Sequence, residues 1–328
     1  MKRAISLLAV LVLLQGCAAL PEEDRSFAVV LGLDRQAGAW LAYVRIPSYQ
    51  QEGGYLTLSA RGGALGEAMA QLEAASPMAL HYGQLRMIVC SRRLAESGDF
   101  PGVLDALASR GGVRGQAALA VTEDDLAEAM EAMNPPTGTR LSKSLEAMMA
   151  SRREQGILPD ATLSAVRRMG ERQQPVLMGL TAGEGMQLSG GWLVGADGQV
   201  HARLTAQEQQ LLSLLSGSFR QGILSLGEGT LTVTEAHSRV RLRGMSAVGS
   251  IRLRCTSSSF SEEGAARALE EALTGLSAKL AASGCDALGL ARQAMAGCAT
   301  MEAWHSMAWP ARYSALSWQV SVRVEREA

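Results

Sequence analysis

The chain has 328 residues with 31 basic and 32 acidic side chains, a net charge of −1 and a pI near 6.5, so its charge gives no bulk attraction to nucleic acid. Aromatic residues make up only 4%, which leaves Ala, Leu, Gly and Met to fill the interior. The length exceeds one ordinary hydrophobic core and suits about two or three domains.

The N-terminus decides the compartment. Lys2 and Arg3 precede an apolar run over residues 4–14 that only Ser6 interrupts. Such a run fits the hydrophobic core of an export signal, roughly 7–15 residues, and falls short of the roughly 20 that a spanning helix needs. Leu14-Gln15-Gly16-Cys17 closes it and resembles the lipobox of bacterial lipoproteins, in which the cysteine is acylated and becomes the new N-terminus. Residues 1–16 are thus expected to be a signal peptide, Cys17 the lipidation site and residues 17–26 a polar tether. The plainer alternative is an ordinary cleaved signal with a chance cysteine. A thioether-linked diacylglyceryl group would hold the folded part at a membrane face, because two acyl chains anchor firmly where one holds only marginally.

Residues 27–34 have the continuous apolar character of a buried strand. Residues 40–46 form a second strand in which Ala42, Val44 and Ile46 alternate with Leu41, Tyr43 and Arg45, and Pro47 ends it. Gly62-Gly63 opens a helix through Leu65, Met69 and Leu72 that stops before Pro77. Residues 85–90 are strand, residues 94–98 a helical turn, Val103 to Leu107 helix and Ala117 to Val121 strand. The acidic Glu123-Asp124-Asp125 starts a helix carrying Leu126, Met130 and Met133. Asn134-Pro135-Pro136-Thr137-Gly138 breaks the pattern. Two more helices follow, residues 141–153 and 162–172, then a strand at Pro175 to Met178. Gly179, Gly183 and Gly185 mark the expected division between an N-terminal domain, 27–180, with a possible subdivision near 134–140, and a C-terminal domain, 181–328.

The second half opens on Gly190-Gly191-Trp192-Leu193-Val194, with Asp197-Gly198 as a hairpin turn and Val200 to Leu204 as the returning strand. Thr205 and Glu208 form a capping box for a helix through Leu215, and Ser259 with Glu262 suggests another. The helix after it places Ala265, Leu269, Leu273, Leu276 and Leu280 on one face and ends at Gly284. Residues 231–234, 240–243 and 251–254 alternate strictly, so Arg239, Arg241 and Arg243 share one side of a strand and Arg252 and Arg254 one side of another. If the strands are neighbours the guanidinium groups share a surface, and Arg241, Arg243, Arg252 and Arg254 are the candidate residues for docking to a partner or membrane. The ordinary reading is a solvated face. Trp304 and Trp309 would lie on different sides of a continuous helix, which predicts a bend or end near Pro310 and at least one buried indole. Val320, Val322 and Val324 alternate in a last strand. Strands alternating with helices indicate an α/β or α+β, multi-domain fold of mixed sheets with flanking helices.

Catalytic chemistry has no visible constellation. His81, His201, His237 and His305 are scattered, and the spacing of Cys285, Cys298 and His305 fits no common zinc motif. There is no Gly-x-Ser-x-Gly elbow and no P-loop. The carboxylates at 123–125 and 262–263 sit at helix starts, where the macrodipole favours them. Cys90, Cys255, Cys285 and Cys298 could pair in three ways, but buried free thiols are the simpler expectation. No metal, cofactor or enzymatic activity is implied.

Several ordered blocks carry a resemblance that runs nearly end to end. Val29-Val30-Leu31-Gly32-Leu33-Asp34 is similar to the first strand of the Ger(x)C lipoproteins, the C subunits of bacterial spore germinant receptors. Leu80 to Val89 followed by Leu94-Ala95-Glu96-Ser97-Gly98 resembles their most recognisable N-terminal block. Gly190 to Gly195 with Leu204 and Glu208 resembles their glycine-rich hairpin and following helix. Asp286-Ala287-Leu288-Gly289-Leu290 stands where the family has an Asp-x-Phe-Gly-Phe-Gly type segment, and Trp304 and Trp309 resemble its paired tryptophans. Ala18 replaces a common tryptophan, Gln84 a frequent histidine, and Leu288 and Leu290 two aromatics. The resemblance implies a non-enzymatic subunit of several α/β domains, held by its lipid on the outer face of the spore's inner membrane. It also implies assembly with two polytopic partner subunits into a nutrient sensor that triggers germination. The alternative is a lipid-anchored solute-binding protein, which would need a deep cleft with convergent polar groups between domains.

Overall fold

The computed structural model describes residues 25–48, 54–135, 139–169, 172–183, 185–227 and 229–327. The leader, Cys17 and most of the expected tether lie outside them, as do Pro136, Thr137 and Gly138 of the chain break.

The chain enters through β1 (Arg25–Phe27), which pairs in parallel with β5 (Ala79–His81). The single strand expected over residues 27–34 is therefore two: the Ala28 and Val29 amides leave the ladder and donate to His81 O and Arg45 O, each at 2.9 Å, before β2 (Val30–Gln36) joins a larger sheet. That sheet continues with β3 (Ala39–Pro47), β4 (Tyr55–Gly62), β6 (Met87–Ser91), β7 (Ala118–Thr122), β8 (Val176–Thr181), β9 (Gln187–Val194) and β10 (Val200–Leu204). Its order is β10-β9-β8-β7-β6-β2-β3-β4, with β2, β6, β7 and β8 parallel to their neighbours in the centre and antiparallel strands on both flanks. The parallel strands are buried on both sides, as their unbroken apolar runs require.

Helices cover this sheet: α1 (Leu65–Ala75), α2 (Arg92–Ala95), α3 (Phe100–Ser109), α4 (Leu126–Glu131), α5 (Leu141–Glu154) and α6 (Leu163–Met169). Arg45 does not face solvent as the alternation in β3 suggests, because α4 covers that side. The Arg45 guanidinium is 2% exposed and donates to Met133 O at 3.0 Å, Thr57 Oγ1 at 2.5 Å and Asn134 Oδ1 at 2.5 Å. It thereby fixes the segment leading to the prolines. The 180/181 division marked by the glycines falls in the β8–β9 hairpin, and strands on both sides of it belong to one sheet. Of the three marking glycines only Gly179 serves close backbone approach, since a Cβ there would lie 2.4 Å from Ser189 O; Gly190 of β9, at φ 70°, does the same, with a Cβ 2.2 Å from Leu204 O.

Helix α7 (Ala206–Leu215) links the two halves. Thr205 and Glu208 make the expected capping box, and Gln209 through Leu215 are all buried. Gln210 Nε2 donates to Gln155 O and Ile223 O, both at 2.8 Å, so one side chain holds elements from each half. A four-stranded sheet follows, ordered β11 (Gly222–Leu226), β12 (Gly229–Arg243), β13 (Ser246–Ser258) and β14 (Ser317–Arg326). Residues 231–234 and 240–243 are one long strand, β12, whose register shifts beside Val233. Between β13 and β14 run α8 (Glu262–Ala282), α9 (Leu290–Ala296), α10 (Met301–Ser306) and α11 (Trp309–Ser314). The cap of α8 is Ser261, whose hydroxyl accepts from Gly264 N at 3.1 Å, rather than Ser259, and Glu262 accepts from Arg326 N instead of closing a box. Leu269, Leu273, Leu276 and Leu280 of α8 are buried as their spacing predicts, in the core that also takes residues from the inner face of the four-stranded sheet. The protein is thus an α+β, multi-domain fold of mixed sheets with flanking helices.

Candidate functional site

The outer face of the four-stranded sheet gathers the arginines. Residues directly opposite in a ladder share a face, so the register builds rows across β12, β13 and β14. These rows are Glu235-Arg254-Glu325, His237-Arg252-Arg323, Arg239-Ser250-Ser321, Arg241-Val248-Gln319 and Arg243-Ser246-Ser317. The two expected arginine sets do meet on one surface, but staggered, with no arginine of β12 opposite an arginine of β13. Arg254 is answered by Glu235 at 2.9 Å, and Arg323 approaches Glu325 at 3.8 Å. Arg239, Arg241, Arg243 and Arg252 are exposed and form no ion pair among the described residues.

A second feature lies where the C-terminal helices meet the large sheet. Asp286 is 1% exposed and accepts from Leu290 N at 2.8 Å, Ala291 N at 2.6 Å and Trp309 Nε1 at 3.1 Å. Burial pushes its carboxyl above the ordinary range against those donors. The carboxylate caps α9 and ties α11 to it. The expected break near Pro310 is made by Met307 and Ala308, the latter at φ 48°, which separate α10 from α11. The break turns Trp304 and Trp309 toward each other with ring centroids 6.1 Å apart, and both are buried. Tyr313 and Trp318 extend the aromatic row at 6.1 and 6.4 Å. Gln174 crosses from the other half, its N donating to Asp286 O at 3.1 Å and its Oε1 accepting from Asp286 N at 2.9 Å. Beside this junction Pro101, Leu104, Val194, Trp304 and Trp309 line a groove of about 530 Å³.

Residues 21–181 match the model of the spore germination protein N-terminal domain. The chain belongs to the Ger(x)C family of spore germination proteins. Its fold is similar to the crystal structure of the GerBC protein, with a TM-score of 0.58 at 13% identity over 91% of this chain and 97% of that one. No curated protein matches the chain.

The blocks that resemble the Ger(x)C pattern have clear structural work. Asp34, ending the first, is 2% exposed and accepts from Ser91 Oγ, from Arg93 Nη2 at 2.7 Å and from Arg35 N at 2.7 Å. Burial opposes its ionisation, but the hydrogen bonds from Arg93, Ser91 and the Arg35 amide outweigh it and hold the carboxyl below its ordinary value. The Ser91 hydroxyl also accepts from Leu94 N at 3.2 Å, joining the first block to the second. Leu290, in an aromatic position of the Ger(x)C segment, is 1% exposed, so an aliphatic side chain fills that core site. Gln84, in the histidine position, is exposed.

The remaining candidates serve the fold. Asp125 caps α4 through Ala127 N at 2.8 Å, and Asp124 accepts from Ala182 N at 2.6 Å. Glu123 pairs with Arg92 and Arg203, which flank the Trp192 ring at 5.6 and 5.8 Å. Cys90, Cys255 and Cys285 are buried free thiols and Cys298 is half-buried. Burial drives the Cys90 pKa to about 12, which keeps it a thiol. No group of three or more His, Cys, Asp or Glu among the described residues is placed to hold a metal ion. Arg45, Gln174 and Asp286 escape a period-based reading, since each is polar at a buried position whose partners come from distant segments.

Proposed function

We propose that this chain is the membrane-anchored C subunit of a spore nutrient germinant receptor. In this reading a lipid on Cys17 holds it at the outer face of the spore's inner membrane, and it acts without catalysis by assembling with two polytopic subunits. The observation that carries the reading is the spore germination N-terminal domain over residues 21–181 directly behind Leu14-Gln15-Gly16-Cys17. An acylated cysteine would explain membrane attachment in a chain whose described residues include no helix long and apolar enough to cross a bilayer.

The groove at the junction is the one feature that favours a solute-binding protein instead. Of its polar side chains, Asp105 pairs with Arg167 at 3.2 Å and Gln174 is bonded to Asp286, and His305 adds one imidazole to an otherwise mostly apolar lining, short of the convergent polar set that a solute site needs. The subunit reading is therefore preferred. Cys17→Ala tests the anchor. The wild-type chain should enter the detergent phase on phase separation in a cleaved, acylated form, while the variant should remain folded yet carry no acyl group. An acylated Cys17→Ala chain, or an unacylated wild type, would contradict lipidation at this residue.

A further inference from the structure

We infer that the outer face of the β11–β14 sheet is a docking surface for an anionic lipid membrane, with Arg239, Arg241, Arg243 and Arg252 as its contacts. Among the described residues no carboxylate pairs with any of these four. The row nearest the far end, Glu235-Arg254-Glu325, carries a formal charge of −1, whereas the His237-Arg252-Arg323 row carries +2 with His237 neutral and each of the next three rows +1. The next row sets Arg252 directly beside Arg323 on adjacent parallel strands; Glu325 approaches Arg323 at 3.8 Å, while Arg252 has no ion-pair partner among the described residues. The face is thus negative at one end and positive over the four rows that run to the β12–β13 hairpin, whose tip holds Met245 at 41% exposure.

The rest of the face selects lipid over protein. Between the arginines stand Ser246, Ser250, Ser317, Gln319 and Ser321 and one half-buried aliphatic side chain, Val248, with no aromatic anchor. Protein interfaces are depleted in serine and built around buried aromatic or Met anchors at the centre, whereas here the exposed apolar residues stand at the rim, Met245 at the hairpin tip and Ile223 on the edge strand β11. A field of guanidinium groups set mostly among serines, with an apolar tip, fits phosphate head groups and their interfacial edge. The opposite side of the sheet is closed by the α8 core, so only this face is open to a membrane. The open edge of β12 is itself tied down where Leu242 N and Val240 O pair with Gln293 at 2.9 and 3.1 Å, which keeps the arginine strand from fraying. The inference deepens the proposed anchoring, since a chain tethered by Cys17 would already lie within reach of the bilayer.

The test compares partition of the full-length chain onto vesicles of phosphatidylcholine alone and of phosphatidylcholine with phosphatidylglycerol in equal parts. The apolar leader and any acyl group bind both kinds, so the ratio isolates the face. The wild type should prefer the anionic vesicles. Arg241→Gln with Arg252→Gln should reduce that preference by about 30-fold, at roughly one kcal/mol per basic residue. The preference should vanish near 1 M salt, where the Debye length falls to about 3 Å. Arg254→Gln, whose charge is already paired, should change it far less. Circular dichroism of each variant separates loss of binding from loss of fold; if the double variant misfolds, Arg239→Gln alone, at an exposed position, reads the same surface. A wild type that binds neutral vesicles but shows no anionic preference overturns the inference and leaves the anchor standing. A wild type that binds only anionic vesicles supports the face and removes the anchor. Loss of partner copurification in the double variant, with vesicle preference unchanged, also overturns it and assigns the arginines to an acidic protein.

Discussion

Asp34 shows how a residue of a recognisable block earns its place by physics. Its folded pKa lies below the ordinary 3.8 because its hydrogen bonds favour the charged form. The sign follows: the stability it contributes is fully present above 3.8 and is lost as pH falls through the lower folded value. Asp34→Asn should therefore lower stability by about 2 kcal/mol at neutral pH and flatten the acid limb of a Tm-against-pH curve below about pH 4. An unchanged acid limb would mean that another carboxylate governs it. Asp34 was visible only as the end of an apolar strand. That Ser91 and Arg93, more than fifty positions on, would meet it depends on the parallel pairing of β2 with β6, which local patterning does not encode.

At the scale of elements, local signals were reliable where one face of a helix or strand decides burial. The α8 stripe and the Thr205–Glu208 capping box follow their patterns. Strand β4, with its largely half-exposed alternation, and the short β5 and β11 were not legible, because each is a partner strand specified by its neighbour rather than by its own composition. The start of α8 is a sharper case, since both Ser259 and Ser261 stand before it. The Ser261 hydroxyl makes the capping bond, so Ser261→Ala should cost about 1 kcal/mol in thermal or urea unfolding. Ser259→Ala removes only a 3.3 Å bond from Thr230 N and should cost clearly less. The reverse order would place the helix start two residues earlier. The Trp pair was half legible: the break near Pro310 follows from sequence, but the contact between the rings follows from the left-handed Ala308.

For the whole molecule, the glycines at 179–185 suggested a division that the sheet crosses. Strands β8 to β10 supply Leu177, Met178 and Trp192 to one core and Val176, Leu193 and Leu204 to the other. The two cores share a wall. Leu193→Ala should thus cost about 2–5 kcal/mol and shift a single cooperative transition, seen alike by far-ultraviolet circular dichroism and by tryptophan fluorescence. Two separated transitions, with only one shifted, would show that the halves unfold independently. The fold class was legible from alternating strands and helices, and the family from ordered blocks, while the junction through Gln174 and Asp286 was not, since the two residues lie 112 positions apart. The central claim, a lipid-anchored subunit of a germinant receptor, is tested most directly by purifying the tagged full-length chain from detergent-solubilised spore inner membrane and identifying what comes with it. The account predicts two polytopic subunits in fixed ratio to this chain. Recovery with an ATPase and a permease, or of this chain alone at every detergent mild enough to keep other membrane complexes intact, would contradict it.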